Sequence, residues 1–256
     1  MTTRSRTTVT PAIILRRSDY GEADRLITIL TPLRGKMRVL AKGARKITSR
    51  KAGHIELFAR TQLLLAHGRS FDLITQAELI DPHLPLREDM LRGSLAHYLC
   101  ELADQFAQED HEDRELYDLL SDGLQWLSTA ADPALSARYF ELRVLMLSGY
   151  SPQLFRCAIA GDEIEPGDGA VLFSPLDGGV VSRAARAAAR GPLSISRSVL
   201  MLLRAMQTQD HAAISTLEIT REVHAEAERV LQSYLSFVTE RRSRAMAFVR
   251  QVQRSE

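Results

Sequence analysis

The chain's 256 residues, 45% hydrophobic and 25% charged, have a globular composition, with length for one large domain or two to three small ones. Its 33 basic and 32 acidic side chains give a net charge of +1, which taken alone argues against a basic nucleic-acid binder. Its two cysteines, Cys100 and Cys157, cannot form a disulfide framework or a four-cysteine zinc site. No apolar run reaches the roughly 20 residues of a membrane span, and the opening MTTRSRTTVT lacks the apolar stretch of a signal peptide. The expectation is a cytoplasmic protein with no membrane contact, nucleoid-associated if its partner is DNA.

The first 80 residues read as strands. Thr10–Leu15, Arg25–Leu30, Lys36–Ala41, Leu57–Ala66 and Leu73–Leu79 are short β-prone runs, parted by Pro32, Gly35, Gly43 and His67-Gly68-Arg69. Five such strands predict a small antiparallel barrel of the OB type, a fold that binds single-stranded nucleic acid through a basic groove with aromatic platforms. Aromatic residues are few here (Tyr20, Phe58 and Phe71), and one or two of them are expected in the core.

The charge is unevenly spread. Residues 1–80 hold fifteen basic side chains against six acidic ones, and residues 81–256 hold 18 against 26. Between positions 34 and 51 lie Arg34, Lys36, Arg38, Lys42, Arg45, Lys46, Arg50 and Lys51 with no acid among them. Such a strip attracts a polyanion by counterion release and needs no sequence reading to do so. Strand alternation puts Lys36 and Arg38 on one face and Met37 and Val39 on the other. The polar segment from Gly43 to Gly53 is expected to be a mobile loop able to follow phosphates. The competing reading is a solvated basic face without a partner, with Arg34 paired to Asp24 or Glu22.

After Asp81-Pro82 the apolar period becomes helical. Helices are predicted over Glu88–Phe106, Glu112–Leu127, Ala134–Leu147 and Ser194–Met206, with a long one from about Arg221 to Gln251, packed as a bundle. Nine acids between positions 101 and 123, opposed by Arg114 alone, are expected to form a solvated helix face that repels DNA. The domains expected are thus residues 1–81, an OB-fold nucleic-acid-binding domain, and residues 82–256, a mainly helical domain with a loop insertion at 152–193.

Catalytic signatures fail when tested. Gly35-Lys36 is followed by Met37, and position 30 is Leu, so there is no phosphate-binding P-loop. A Gly-x-Ser-x-Gly elbow, a His-Glu-x-x-His pair and a Gly-x-Gly-x-x-Gly turn do not occur. The acidic loop Gly161–Gly169 lacks the 1-3-5 carboxylate spacing of an EF-hand. The expectation is a protein that is not an enzyme and uses no cofactor.

Three stretches carry a resemblance. Ile13-Ile14-Leu15-Arg16, Tyr20-Gly21-Glu22-Ala23-Asp24-Arg25 and Leu33 through Arg45, which ends in Ala41-Lys42-Gly43-Ala44-Arg45, are similar to the bacterial RecO family of DNA repair proteins. So are Arg138 through Pro152, and Phe173 through Val181. The resemblance implies an N-terminal OB-fold followed by a helical domain. It also implies a recombination mediator that binds single- and double-stranded DNA, anneals strands, and works with RecR to load recombinase on SSB-coated DNA. It further implies a helical-domain pocket for the acidic, Phe-ending tail of SSB; Tyr139, Leu142 and Met146 would supply its stripe, Tyr98 neighbouring apolar surface, and Arg138 a rim cation, unless Arg138 pairs with Glu141 or Glu101. Many members of the family carry a four-cysteine zinc site. Here the matching positions are Cys157, Ala160, Ser182 and Ala185, so a degenerate zinc-ribbon-like loop without metal is expected. The alternative function is an RNA-binding or protein-interaction OB adaptor outside DNA repair.

Overall fold

In the computed structural model, which describes residues 7–49, 51–165, 171–240 and 244–253, five strands open the chain. They are β1 (Thr7–Tyr20), β2 (Asp24–Thr31), β3 (Gly35–Ala41), β4 (Arg60–Ala66) and β5 (Asp72–Asp81). They close into a barrel in the order β1-β2-β3-β5-β4. The long β1 serves two neighbours, pairing with β4 through Thr7–Ile13 and with β2 through Ile13–Tyr20. It bends between them at a bulge between Ile14 and Arg16. The expectation of a wholly antiparallel barrel is corrected at one seam, where β3 and β5 run parallel, Val39 beside Asp72 and Leu40 beside Leu73. The reason is topological: directions cannot alternate all the way round a ring with an odd number of strands.

Alternation fills the barrel. Ile14, Ile27, Ile29, Met37, Val39, Leu63, Leu65 and Ile74 point inward and are buried. Ile13 and Leu30, paired across β1 and β2, lie outside that core yet are fully buried too, because a helix packs on β1. The run expected to start a strand at Leu57 begins only at Arg60. Phe58 takes a positive φ of 67°, and its N–H donates to the Ile14 carbonyl while the Ile14 N–H donates to Ala59, which fills the gap left by the bulge.

Two compact units divide the chain, one made of Met1–Thr129 with Ala245–Glu256, the other of Ala130–Arg244. The composition break at residue 81 coincides with the end of β5, but the first unit runs on through α1 (Pro85–Glu88), α2 (Met90–Phe106) and α3 (Arg114–Thr129). Here α2 packs on β1 and α3 on β2. The Asp89 side chain accepts the Arg92 N–H and so caps α2.

The second unit contains α4 (Pro133–Leu147), a three-stranded sheet of β6 (Val171–Ser174), β7 (Gly179–Val181) and β8 (Leu193–Ile195), then α5 (Arg197–Thr208), α6 (His211–Ile214) and α7 (Arg221–Val238). The single long helix expected to the C-terminus is two. α7 stops at Val238, Glu240 then turns the backbone to a φ of 52°, and α8 (Arg244–Gln253) falls in the first unit from Ala245 on. Among the described residues no helix is long and apolar enough to cross a membrane.

One buried ion pair organises the second unit. Arg138 and Glu141 on α4, 2% and 0% exposed, meet at 3.0 Å; Glu228 of α7 stands 3.7 Å from the same guanidinium, and Gln232 donates to Glu141 at 2.8 Å. Removing one member strands a buried charge, which costs about 3–5 kcal/mol, whereas replacing both with apolar groups is often neutral. Arg138→Ala is therefore expected to lower the unfolding free energy by about that amount, and Arg138→Met with Glu141→Leu to recover most of it, measured by urea unfolding.

Candidate nucleic-acid interface

The basic strip begins where β3 leaves its turn. Its first residues have one edge open, because β5 pairs only with Val39 and Leu40. That edge is taken by the segment after α2: the Lys36 N–H donates to the Gln108 carbonyl at 3.0 Å, and the Asp110 N–H to the Lys36 carbonyl at 3.2 Å. Gly35 permits the crossing. Its φ is +50°, and a Cβ there would stand 2.3 Å from the His111 carbonyl oxygen.

Side chains follow the backbone. Arg34 donates to Asp72 at 2.7 Å and also pairs with Asp110, not with Asp24 or Glu22. Lys36 meets the Asp104 carboxylate at 3.3 Å and donates to its carbonyl at 2.6 Å. Arg45 donates to the Gly21 and Glu22 carbonyls and stands 3.4 Å from Asp19, stapling the loop after β3 to the β1–β2 turn. Lys51 donates to the Ile74 carbonyl at 2.9 Å. Arg50 lies outside the described residues.

Arg38, Lys42 and Lys46 remain exposed, and among the described residues no carboxylate pairs with them. As the alternation requires, Arg38 points out between buried Met37 and Val39. The segment expected to be a mobile loop is a chain of hydrogen-bonded turns: Asp24 accepts the Gly43 N–H at 2.7 Å, Ala23 accepts from Arg45, Gly43 from Lys46, and Lys46 from Ser49.

The acidic tract is also corrected. Asp104 and Asp110 bind the barrel's cations, Asp113 caps α3 by accepting the Leu116 N–H, and Glu101 accepts the Ala245 N–H. These four carboxylates hold structure and are not an idle solvated face.

Aromatic placement was not legible in the sequence. Phe58 is buried, with its ring edge-on to His97 at 4.8 Å. Tyr20 is exposed and Phe71 half-buried, edge to face with centroids 6.2 Å apart, and the Arg38 guanidinium sits 5.8 Å from the Phe71 centroid. Exposed Arg69 shares the same loop. Beside Phe71 a polar recess of about 110 Å³ opens, lined by Arg38, Ser70 and Asp110 among others.

Two family models match the chain. One described as Recombination protein O N terminal covers residues 5–83, and one described as Recombination protein O C terminal covers residues 87–247. The chain belongs to the RecO family. Relatives named DNA repair protein RecO include one from a Roseiflexus species, 42% identical over 246 residues, covering 96% of this chain and 86% of the relative. Another from Desulforudis audaxviator is 36% identical over 244 residues, covering 95% and 96%. A third, from Dehalococcoides mccartyi, is 34% identical over 237 residues, covering 93% and 92%.

Two features that RecO membership brings into question can be checked on the side chains. The zinc-ligand positions do come together: Cys157 Sγ accepts the Ala160 and Ser182 N–H groups, each at 3.3 Å, and the Ala185 N–H donates to Ser182 Oγ. Burial pushes the Cys157 thiol up, but those N–H groups outweigh it and hold the thiol below its ordinary range. One thiol, one hydroxyl and two methyl groups do not fit a tetrahedral zinc ion. Among the described residues no three metal-binding side chains converge. The residues expected at an SSB-tail pocket do not form a surface. Tyr98 is fully buried in the first unit; in the second, Arg138 is buried in its ion pairs, and Tyr139, 3% exposed, donates to the Gln209 carbonyl. Arg138 therefore stands at no rim, because Glu141 and Glu228 engage it inside.

Two outcomes are expected. Dialysis against a strong chelator leaves the thermal midpoint unchanged; a drop would reveal a structural metal. For Asp72, burial raises the carboxyl pKa, but hydrogen bonds from Arg34, Gly68 and His67 outweigh it and hold the group below its ordinary 3.8. A depressed carboxylate contributes stability that is complete above the unfolded value and is lost as pH falls through the folded one. Asp72→Asn should thus be less stable than the parent at neutral pH, with the gap closing as pH drops below about 4, read from denaturation midpoints.

Proposed function

We propose that the barrel's basic face is the DNA-binding surface of this DNA repair protein, centred on Arg38, Lys42 and Lys46. Arg34, Lys36, Arg45 and Lys51 shape the face through their internal bonds, and Arg50 belongs to the same strip by sequence. The observation that carries this reading is an 18-residue stretch without acids, running from β3 of a closed barrel into the turns after it, with three exposed cations that no carboxylate pairs with among the described residues. Two DNA strands repel each other through their phosphates, and a cationic surface that neutralises part of that charge lets complementary strands pair without ATP. The role that follows is a non-catalytic recombination mediator that holds single- and double-stranded DNA, anneals strands and assists recombinase loading on SSB-coated DNA. RecR and the SSB tail are the protein partners this role calls for, with Arg138, Tyr139 and Tyr98 acting as packing residues rather than as the tail's contacts.

The test is the salt dependence of binding. Each lost phosphate contact lowers the logarithmic salt slope by about 0.7–0.9. Lys42→Glu with Lys46→Glu should lower it by about 1.4–1.8 or more, and weaken binding to all sequences alike. Both lysines are exposed, so the thermal midpoint should not move. Unchanged DNA affinity would refute the assignment.

A further inference from the structure

We propose that Tyr20, Phe71 and Arg38 form a stacking subsite for unpaired bases, which makes the basic face prefer single strands over duplex. This inference rests on the DNA-binding reading above and adds to it the feature that distinguishes one form of DNA from the other.

Three separate pieces of chain bring these side chains together. Tyr20 ends β1, at the tip of the hairpin where it pairs with Asp24. Phe71 ends the loop between β4 and β5, a loop so tight at Gly68 that a Cβ there would lie 1.9 Å from the Phe71 carbonyl oxygen. Arg38 projects from β3 beside Phe71, because Val39 and Asp72 are partners across the parallel seam. Neither ring belongs to the barrel core, and Tyr20 is 46% exposed. Phe71 is half-buried, but an exposed ring such as Tyr20 gains less from burial than a core ring does, so packing alone accounts poorly for its place against Phe71.

The chemistry fits a nucleobase. Every base has a π-face, and aromatic rings and guanidinium planes stack on it regardless of sequence. In a duplex the same faces are covered by neighbouring base pairs, so the subsite offers nothing to double-stranded DNA. Phosphates flanking a stacked base would meet cations nearby. Arg25 pairs with Ala41 across β2 and β3, which brings the hairpin tip close to exposed Lys42, and Arg69 lies two residues before Phe71. The recess beside Phe71 is polar, with the Ser70 hydroxyl and the Asp72, Glu109 and Asp110 carboxylates on its wall as acceptors for a base's amino group.

The experiment uses the full chain, an oligo(dT) carrying one 2-aminopurine, and a duplex of equal length. For Tyr20→Leu with Phe71→Leu, affinity for the single strand should fall about tenfold, duplex affinity should change less than twofold, and the change in 2-aminopurine emission on binding should disappear. Phe71→Trp supplies a reading that does not depend on the leucine variant folding. Its indole emission should be quenched by oligo(dT) and not by duplex, with the parent protein and its single Trp126 as the blank. Unchanged single-strand affinity in the leucine variant, equal losses for both DNA forms, or unquenched indole would overturn the subsite. Lys42→Glu with Lys46→Glu separates the two readings. If that pair weakens both DNA forms while the aromatic variants behave as the parent, the basic face stands and the stacking subsite fails. If the lysine pair changes nothing, the basic face itself is refuted.

Discussion

A strand with an open edge and a row of cations on its outer side cannot be left bare. The unpaired N–H and C=O groups at the start of β3 invite another strand, and a neutral cover would desolvate Arg34 and Lys36 without supplying a counter-charge. The segment after α2 answers both demands at once. Its backbone at Gln108 and Asp110 completes the edge, and Asp104 and Asp110 supply the negative charge. Each of these half-exposed ion pairs contributes at most about 1 kcal/mol. Their weight lies in being joined: Arg34 bonds two carboxylates, Asp72 receives Arg34, Gly68 and His67, and the turn carrying Phe71 is held through the same aspartate. The bonds that hold the β4–β5 loop and the pairing of Arg34 and Lys36 both belong to this one arrangement.

The barrel was legible because its signals are local. Alternation in β3 and β4, an Ile-rich β2 and glycines at the turns define the strands to within a few residues. The length of β1 was not legible: its last five residues, Arg16 to Tyr20, are mostly polar and exposed, and only pairing with Asp24 to Thr28 makes them a strand. The parallel seam also escaped, since strand direction at closure depends on the count of strands in the ring and not on any residue's propensity.

Counting charge along the chain singled out one strip but overstated how many of its cations are available. Four of the eight form intramolecular bonds with groups on other strands, other turns or the helix beyond the barrel, at sequence separations that no local pattern reports. The acidic tract misled for the same reason. Its carboxylates looked idle because their partners lie about 70 residues away, as Asp110 does from Arg34 and Asp104 from Lys36. Arg138 shows the converse. The i, i+3 spacing to Glu141 was visible, but its burial depends on α7, whose Glu228 and Gln232 complete the site. The Tyr20–Phe71 contact likewise joins residues 51 positions apart, and the only local hint was two aromatic residues next to glycine-containing turns.

The division between engaged and free cations sets how the proposed face would hold DNA. Counterion release gives a term proportional to the phosphates neutralised, and salt weakens it. With eight free cations that term would dominate, and duplex, with its higher charge density, would be the favoured ligand. Pairing of Arg34, Lys36 and Arg45 with carboxylates reduces the term, and the charge left on Arg38, Lys42 and Lys46 is spread over a strand and a hydrogen-bonded series of turns. Stacking on an aromatic surface is comparatively insensitive to salt, so its share of the total grows as the ionic share shrinks. On the proposed reading, internal pairing that looks purely structural lowers the affinity for charge as such, and it leaves the discrimination between paired and unpaired bases to the few groups that can touch a base.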